Sequence, residues 1–191
     1  MPKKSEGSPS PERKKRTPDD WTTLKKQAEQ EPVYYALGAV QRGREMGAPE
    51  EEIWDLASRE WQRWKDVVAQ KPQDAPSAIR AAKILGVSHE ELTQFAQVAF
   101  DREVGTRNIA LAYGIMKAAD LGTAEECSAL GARVYEQHIQ NRNPGGAVFI
   151  ANELWGKESE QFARAVALHE EMLRQKERHP WLLPDELPKG R

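Results

Sequence analysis

The side chains that most often carry catalysis or bind metals are few in this chain, and they lack the spacing that such chemistry needs. A zinc site is built from cysteine and histidine ligands at short, regular intervals. The segment His169-Glu170-Glu171 has no second histidine one helical turn further on. We therefore predict no metal site at the four histidines, which are His89, His138, His169 and His179.

Nucleophilic and phosphate-binding patterns are also missing. The single cysteine, Cys127, follows Glu125 and Glu126, whereas a reactive thiolate needs positive charge around it. Gly145 and Gly146 follow a proline and precede no lysine, so they indicate a break between helices rather than a phosphate loop. Carboxylates are abundant, with 30 Asp and Glu residues, but no pattern separates a catalytic pair from a charged surface. We predict a protein without catalytic activity, metal or cofactor.

Four glycines divide the chain into units of similar length and predict an internal repeat. Each glycine ends an apolar segment and precedes an acidic one, and successive glycines are 39, 36 and 34 residues apart. This period is typical of helical hairpins, which stack because no single hairpin can bury its apolar face alone. The repeat is marked by Gly47, Gly86, Gly122 and Gly156.

The helix before each glycine is expected to bury the residues 8, 7, 4 and 1 positions earlier, because these positions share one helical face. In the second unit these residues are Ala78, Ile79, Ala82 and Leu85. In the fourth unit they are Val148, Phe149, Asn152 and Trp155. Small residues on this face would let neighbouring helices approach closely.

The helix after each glycine is expected to begin with acidic residues. The fourth residue after the glycine is glutamate in every unit, which is favourable near the positive end of the helix dipole. These glutamates are Glu51, Glu90, Glu126 and Glu160. Two units also contain a capping-box pattern, Ser88 with Glu91 and Thr123 with Glu126.

Three tryptophans fall on one stripe of the first of these second helices. We expect this stripe to be core that covers the end of the stack. Two other interpretations are a surface that binds an aromatic or proline-rich ligand, and the contact of a homodimer. The stripe consists of Ile53, Trp54, Ala57, Trp61, Trp64 and Val68.

The opposite face of the helices before the glycines is more apolar than a solvent-exposed face should be. One interpretation is that successive helices pack along the stack and bury it. The other is a groove in which a helix or extended peptide of another protein buries apolar anchors, while Arg80 and Asp120 fix its register. The candidate partner-binding residues are Arg80, Ile84, Met116, Asp120, Ile150 and Leu154.

The two ends of the chain differ in composition from the part between them. Residues 1–20 hold six basic residues, four acidic residues and four prolines, which predicts a disordered basic tail. Residues 21–178 are predicted to form the helical-repeat domain. Residues 179–191 are rich in proline and cannot continue a helix, so they either cover the last hairpin or are bound by another protein.

Binding of RNA or single-stranded nucleic acid is the alternative function. It would use the basic tail and basic positions along the stack, and its affinity would fall steeply with salt. From residue 21 onward acidic residues outnumber basic ones by four, which does not favour a polyanion as the main ligand. The candidate residues are Arg13, Lys14, Lys15, Arg16, Arg42, Lys83 and Lys117.

No apolar stretch reaches the length of about 18 residues that a membrane span needs. The N-terminal segment also lacks the apolar core of a secretion signal. We therefore expect a cytoplasmic protein without a membrane partner, or a nuclear one if the source is eukaryotic.

The stretch from residue 117 to 126, KAADLGTAEE, shows the repeat most clearly. Paired helices of about 35 residues, with glycine before an acidic second helix, resemble tetratricopeptide and pentatricopeptide repeats over about residues 33–175. The resemblance implies an all-α fold, namely an α-solenoid of about four helical hairpins in a right-handed superhelix, with residues 21–31 as a lead-in helix. It also implies an adaptor, chaperone or regulator that binds peptides or proteins. It assigns no functional residues.

Overall fold

The computed structural model describes residues 20–30 and 33–178, without the side chains of residues 33, 34 and 178. Over these ranges the chain is all-α, without strands, and forms nine α-helices. The predicted tail over residues 1–19 and the proline-rich segment over residues 179–191 lie outside the described ranges. The helices are α1 (Trp21–Gln30), α2 (Val33–Glu45), α3 (Glu50–Gln70), α4 (Ala75–Leu85), α5 (His89–Gly105), α6 (Ile109–Ala119), α7 (Ala124–Gln140), α8 (Pro144–Leu154) and α9 (Glu160–Arg178).

About four hairpins is an undercount of these nine helices. Each of the four glycines lies between two helices, and α1 precedes the first pair as the expected lead-in helix. All four glycines have φ between 69° and 83°, a left-handed conformation that glycine adopts without strain. At Gly86 this conformation ends α4, and the amide of Gly86 donates to the carbonyl oxygen of Ala82. None of the helices in the described ranges is long and apolar enough to cross a membrane.

The predicted N-terminal caps form in both places, although one is only half of a capping box. At α7 the Thr123 hydroxyl accepts from the amide of Glu126, and the Glu126 carboxylate accepts from the amide of Thr123. At α5 the Ser88 hydroxyl accepts from the amide of Glu91. The Glu91 carboxylate instead accepts from Trp61 Nε1 at 2.7 Å and from Lys65 at 3.2 Å.

The helices group into two compact units, and the boundary falls inside α3, between Glu60 and Trp61. In the first unit the ring of Trp21 lies against Gly43, where an added Cβ would come within 2.5 Å of the ring. Trp21 Nε1 and Lys25 Nζ both donate to the carboxylate of Glu52, each at 3.0 Å. These contacts fix α1 against α2 and α3.

In the second unit each helix from α4 to α9 packs against the next along the chain, and α4 also packs against α6. Its core around α7 and α8 combines two tyrosines and a few aliphatic residues with alanines. Tyr135 also packs edge-on against Trp155, with ring centroids 5.3 Å apart. The cluster consists of Tyr113, Val134, Tyr135, Ala147, Ile150, Ala151 and Ala165.

The tryptophan stripe is core at two of its three tryptophans. Trp61 and Trp64 are buried, and Trp61 packs edge-on against Phe95 with centroids 4.9 Å apart. Trp54 does not belong to the core, because 56% of it is exposed. Trp61 and Trp64 are therefore not available as an exposed patch, and the homodimer stays a prediction that would rest on Trp54.

The face predicted from the glycine register is correct in the second unit and wrong in the fourth. Ala78, Ile79, Ala82 and Leu85 are all buried. In α8, by contrast, Phe149, Asn152 and Trp155 are exposed, and the helix buries Ala147, Ile150 and Ala151. The reason is that the glycine follows α4 directly but lies two residues beyond the end of α8. A shift of one residue turns a helical face by about 100°.

Gly131 of α7 provides a test of this close packing. An added Cβ would lie 2.8 Å from Leu154 Cδ1 and 2.9 Å from Tyr113 Cε2. We expect Gly131→Ala to lower the free energy of unfolding by about 1–2 kcal/mol, because both neighbours must move. Urea unfolding of the full chain measures this change.

Gly38→Ala in α2 is the matched control, since nothing lies within 4 Å of a Cβ added there. That substitution should stabilise by about 0.5–1 kcal/mol through helix propensity alone. Equal stabilisation by both substitutions would contradict the close approach of α7 to α6 and α8.

Candidate binding groove

An open groove of about 390 Å³ lies on the second unit, between side chains of α4, α6, α7 and α8. Its character comes from one exposed aromatic ring, one buried tyrosine, two cations, one carboxylate and one histidine. These side chains are Arg80, Tyr113, Lys117, His138, Phe149 and Glu153.

The groove takes one residue from the same position of three successive helices. Asp74, Asn108 and Asn143 are the N-cap residues of α4, α6 and α8. The sixth residue after each cap lines the groove, and these three residues are Arg80, Gly114 and Phe149. The helices therefore present equivalent faces to the groove, with a cation, a gap and an aromatic ring in turn.

Phe149 is the main apolar feature of the groove. It is 64% exposed, whereas its neighbour Ile150 is 4% exposed. Exposed phenylalanine has an unfavourable hydration free energy, which burial against another molecule would recover. Gly114 and Ala118 are also among the lining residues, so the wall formed by α6 carries little side-chain volume.

Tyr113 forms part of the floor and is held by the far side of the groove. It is almost fully buried, and its hydroxyl donates to Glu153 Oε2 at 2.9 Å. Burial raises the pKa of this hydroxyl, so it remains a proton donor at neutral pH. The same carboxylate forms an ion pair with Lys117, so Glu153 connects α6 to α8.

The charge of the groove that is not already neutralised lies at Arg80. Lys117 is paired with Glu153, and Lys83 is paired with Asp120 at 2.7 Å. Arg80 is exposed and makes no ion pair with any described residue. An anionic group of a ligand would find this guanidinium available.

His138 closes one end of the groove through a turn that occurs twice. In both turns an arginine with positive φ precedes the N-cap asparagine, Arg107 at 62° and Arg142 at 52°. The asparagine side chain also contacts the residue five positions earlier, Glu103 before α6 and His138 before α8.

The carboxamide orientation of Asn143 follows from its second hydrogen bond. Its Oδ1 accepts from the amide of Gly146 at 3.1 Å, so its Nδ2 faces His138 Nδ1, 3.2 Å away. His138 Nδ1 must then be unprotonated to accept this bond. Burial lowers the pKa of His138, which favours the same neutral form.

The structure brings two of the six predicted partner-binding residues into the groove, Arg80 and Ile150. Asp120 is exposed and paired with Lys83. Ile84 and Leu154 are half-buried, while Met116 and Ile150 are buried. Packing therefore accounts for Met116 and Ile150, and the exposed apolar residue beside them, Phe149, was expected in the core instead. Counting from the asparagine caps rather than from the glycines would have identified it.

The residues of the nucleic-acid alternative do not form one surface among the described residues. Arg42 is an exposed residue of α2, in the first unit. Lys83 and Lys117 belong to the second unit, and each is paired with a carboxylate. The cluster from Arg13 to Arg16 lies outside the described residues.

The remaining candidate side chains for chemistry lie apart from one another. His89 and His169 are exposed, and Cys127 is half-buried against the α7–α8 core cluster. A second cavity, of about 340 Å³, lies in the first unit beside the exposed Trp54. Comparisons with protein-family models, with curated proteins and with solved structures give no match for this chain.

Stability should depend on the protonation of His138. The unfolded chain has the ordinary histidine pKa of about 6.5, and the folded chain has a lower one. Full stability is therefore present above about pH 6.5 and is lost as the pH falls below it, because the unfolded state binds the proton more readily. Urea unfolding at pH 7 and at pH 5 should show this loss.

His138→Gln should reduce the loss, since glutamine can accept the bond from Asn143 and does not titrate in this range. His89→Gln, at an exposed histidine, is the control and should leave the loss unchanged. An identical pH dependence in wild type and His138→Gln would contradict the role of His138.

Proposed function

We propose that this protein is a non-enzymatic interaction module that binds a peptide or helix of another protein in the groove between α6 and α8. The observation that carries the proposal is the 64% exposure of Phe149 on the wall of an open groove. Recognition of a peptide or helix commonly uses apolar anchors in a groove, with a few polar contacts that set register. Phe149 supplies the anchor site and Arg80 the polar contact.

The larger architecture in this proposal is a right-handed α-solenoid of the tetratricopeptide kind. Its support is the spacing of 34 to 39 residues between glycines and the packing of α4 against α6 as well as against α5. The equivalent positions of Arg80, Gly114 and Phe149 after their caps support it further. In a solenoid, equivalent positions of successive repeats line one continuous binding surface. An adaptor, chaperone or regulator fits this arrangement.

Phe149→Asp tests the proposal. Because Phe149 is exposed, the substitution should change the free energy of unfolding by no more than about 0.5 kcal/mol. It should remove partner binding, since a charge replaces the apolar anchor site. The measurement is purification of the tagged full chain from its native cells after nuclease treatment, with the co-purified proteins quantified by mass spectrometry.

Val98→Asp is the matched control, because Val98 of α5 is 72% exposed and does not line the groove. A stoichiometric protein retained by wild type and Val98→Asp but lost with Phe149→Asp is the expected result. Retention by all three would contradict the groove as the binding site. Nucleic acid that co-purifies before nuclease treatment and leaves with salt would favour the alternative function.

A further inference from the structure

The C-terminal end of α9 lies beside one mouth of the groove. Arg142, just before α8, donates to Glu171 at 3.3 Å and to Gln175 at 3.0 Å, both on the last turns of α9. On the groove side of the same turn, Gly146 lies against the ring of His138. The chain that follows Arg178 therefore starts near the end of the groove that His138 closes.

Residues 179–191 lie outside the described residues, and their sequence combines the two chemistries that the groove lacks. Trp181, Leu182 and Leu183 are apolar, and Asp185 and Glu186 follow them. Prolines at positions 180, 184 and 188 favour an extended backbone of about 3.1 Å per residue. The distance from Trp181 to Glu186 is then about 15 Å.

The groove offers matching groups in the same order. His138 marks the end near α9, and Phe149 exposes its ring between this end and the opposite one. Lys117 and Glu153 mark the opposite end, close to the last residues of α6 and α8. Since α8 has 11 residues and is therefore about 16 Å long, an extended segment of six residues is long enough to follow it.

We infer that residues 179–191 bind in this groove, with Trp181 to Leu183 against Phe149 and with Asp185 or Glu186 paired with Arg80. The segment is then an internal competitor of the partner. This inference rests on the proposed function, because it takes the groove to be a peptide-binding site.

Tethering makes even a weak contact effective. A short flexible connection gives an effective concentration on the order of 1 mM. A segment whose intrinsic Kd is about 0.1 mM would then occupy the groove about nine tenths of the time. A partner would have to displace it, and its apparent affinity would fall about tenfold.

The reactivity of a thiol in the groove tests this inference in the full chain, without any partner. Ala118 lines the groove, so Ala118→Cys in a Cys127→Ser background places a single thiol there. Its rate of reaction with 5,5′-dithiobis(2-nitrobenzoate) is compared in chains with the natural segment and in chains with Trp181→Ala, Leu182→Ala and Leu183→Ala. We expect the altered segment to raise the rate about tenfold.

Charge reversal tests the pairing with Arg80. Arg80→Glu alone should also raise the rate, and Asp185→Lys with Glu186→Lys in the same chain should return it toward the original value. Ser128→Cys on the exposed side of α7, in chains that retain Ala118, is the control thiol. Its rate should be the same with every segment.

Equal rates at position 118 with natural and altered segments would overturn the inference, and so would protection that depends on protein concentration, which would indicate a second copy of the chain. Acceleration at positions 118 and 128 together would also overturn it, because it would show a general change in the fold. The proposed function would survive each of these outcomes, since it is tested separately by loss of the partner with Phe149→Asp.

Discussion

Close approach of helices through small residues is the constraint on which the second unit depends. Gly131 lies against Tyr113 and Leu154 with no room for a Cβ, and Ala147 and Ala151 of α8 are fully buried. Alanine and glycine contribute little apolar area each, so their stabilising effect comes mainly from the contacts that close approach allows. A larger side chain at such a position would separate the helices.

The same constraint produces the groove. A thin core accommodates the two tyrosines and a few aliphatic side chains, and it leaves the next face of α8 unfilled. Phe149 therefore projects from that face, while Gly114 leaves a gap at the equivalent position of α6. Glu153 holds the gap open at one end by bonding to both Tyr113 and Lys117. The turn of His138 and Asn143 defines the other end.

The sequence was sufficient to predict the all-α class, the glycine turns and the caps, because each depends on local backbone chemistry. Thr123 and Glu126 needed no tertiary information to form their capping box. The rotation of α8 was not predicted, since the glycine register assumes that every helix ends at the same distance from its glycine. The ends are set instead by tertiary contacts, and Gly156 lies two residues beyond Leu154. Registers counted from N-cap residues avoid this error, as their effect on the face is immediate.

The rotation of α8 is the central claim, because it decides whether Phe149 is available to a ligand. The most direct measurement compares the unfolding free energies of Phe149→Ala and Ile150→Ala by urea denaturation. With Ile150 buried and Phe149 exposed, Ile150→Ala should cost about 2–4 kcal/mol and Phe149→Ala no more than about 0.5 kcal/mol. The opposite order, with Phe149→Ala the more costly substitution, would place Phe149 in the core and contradict the account.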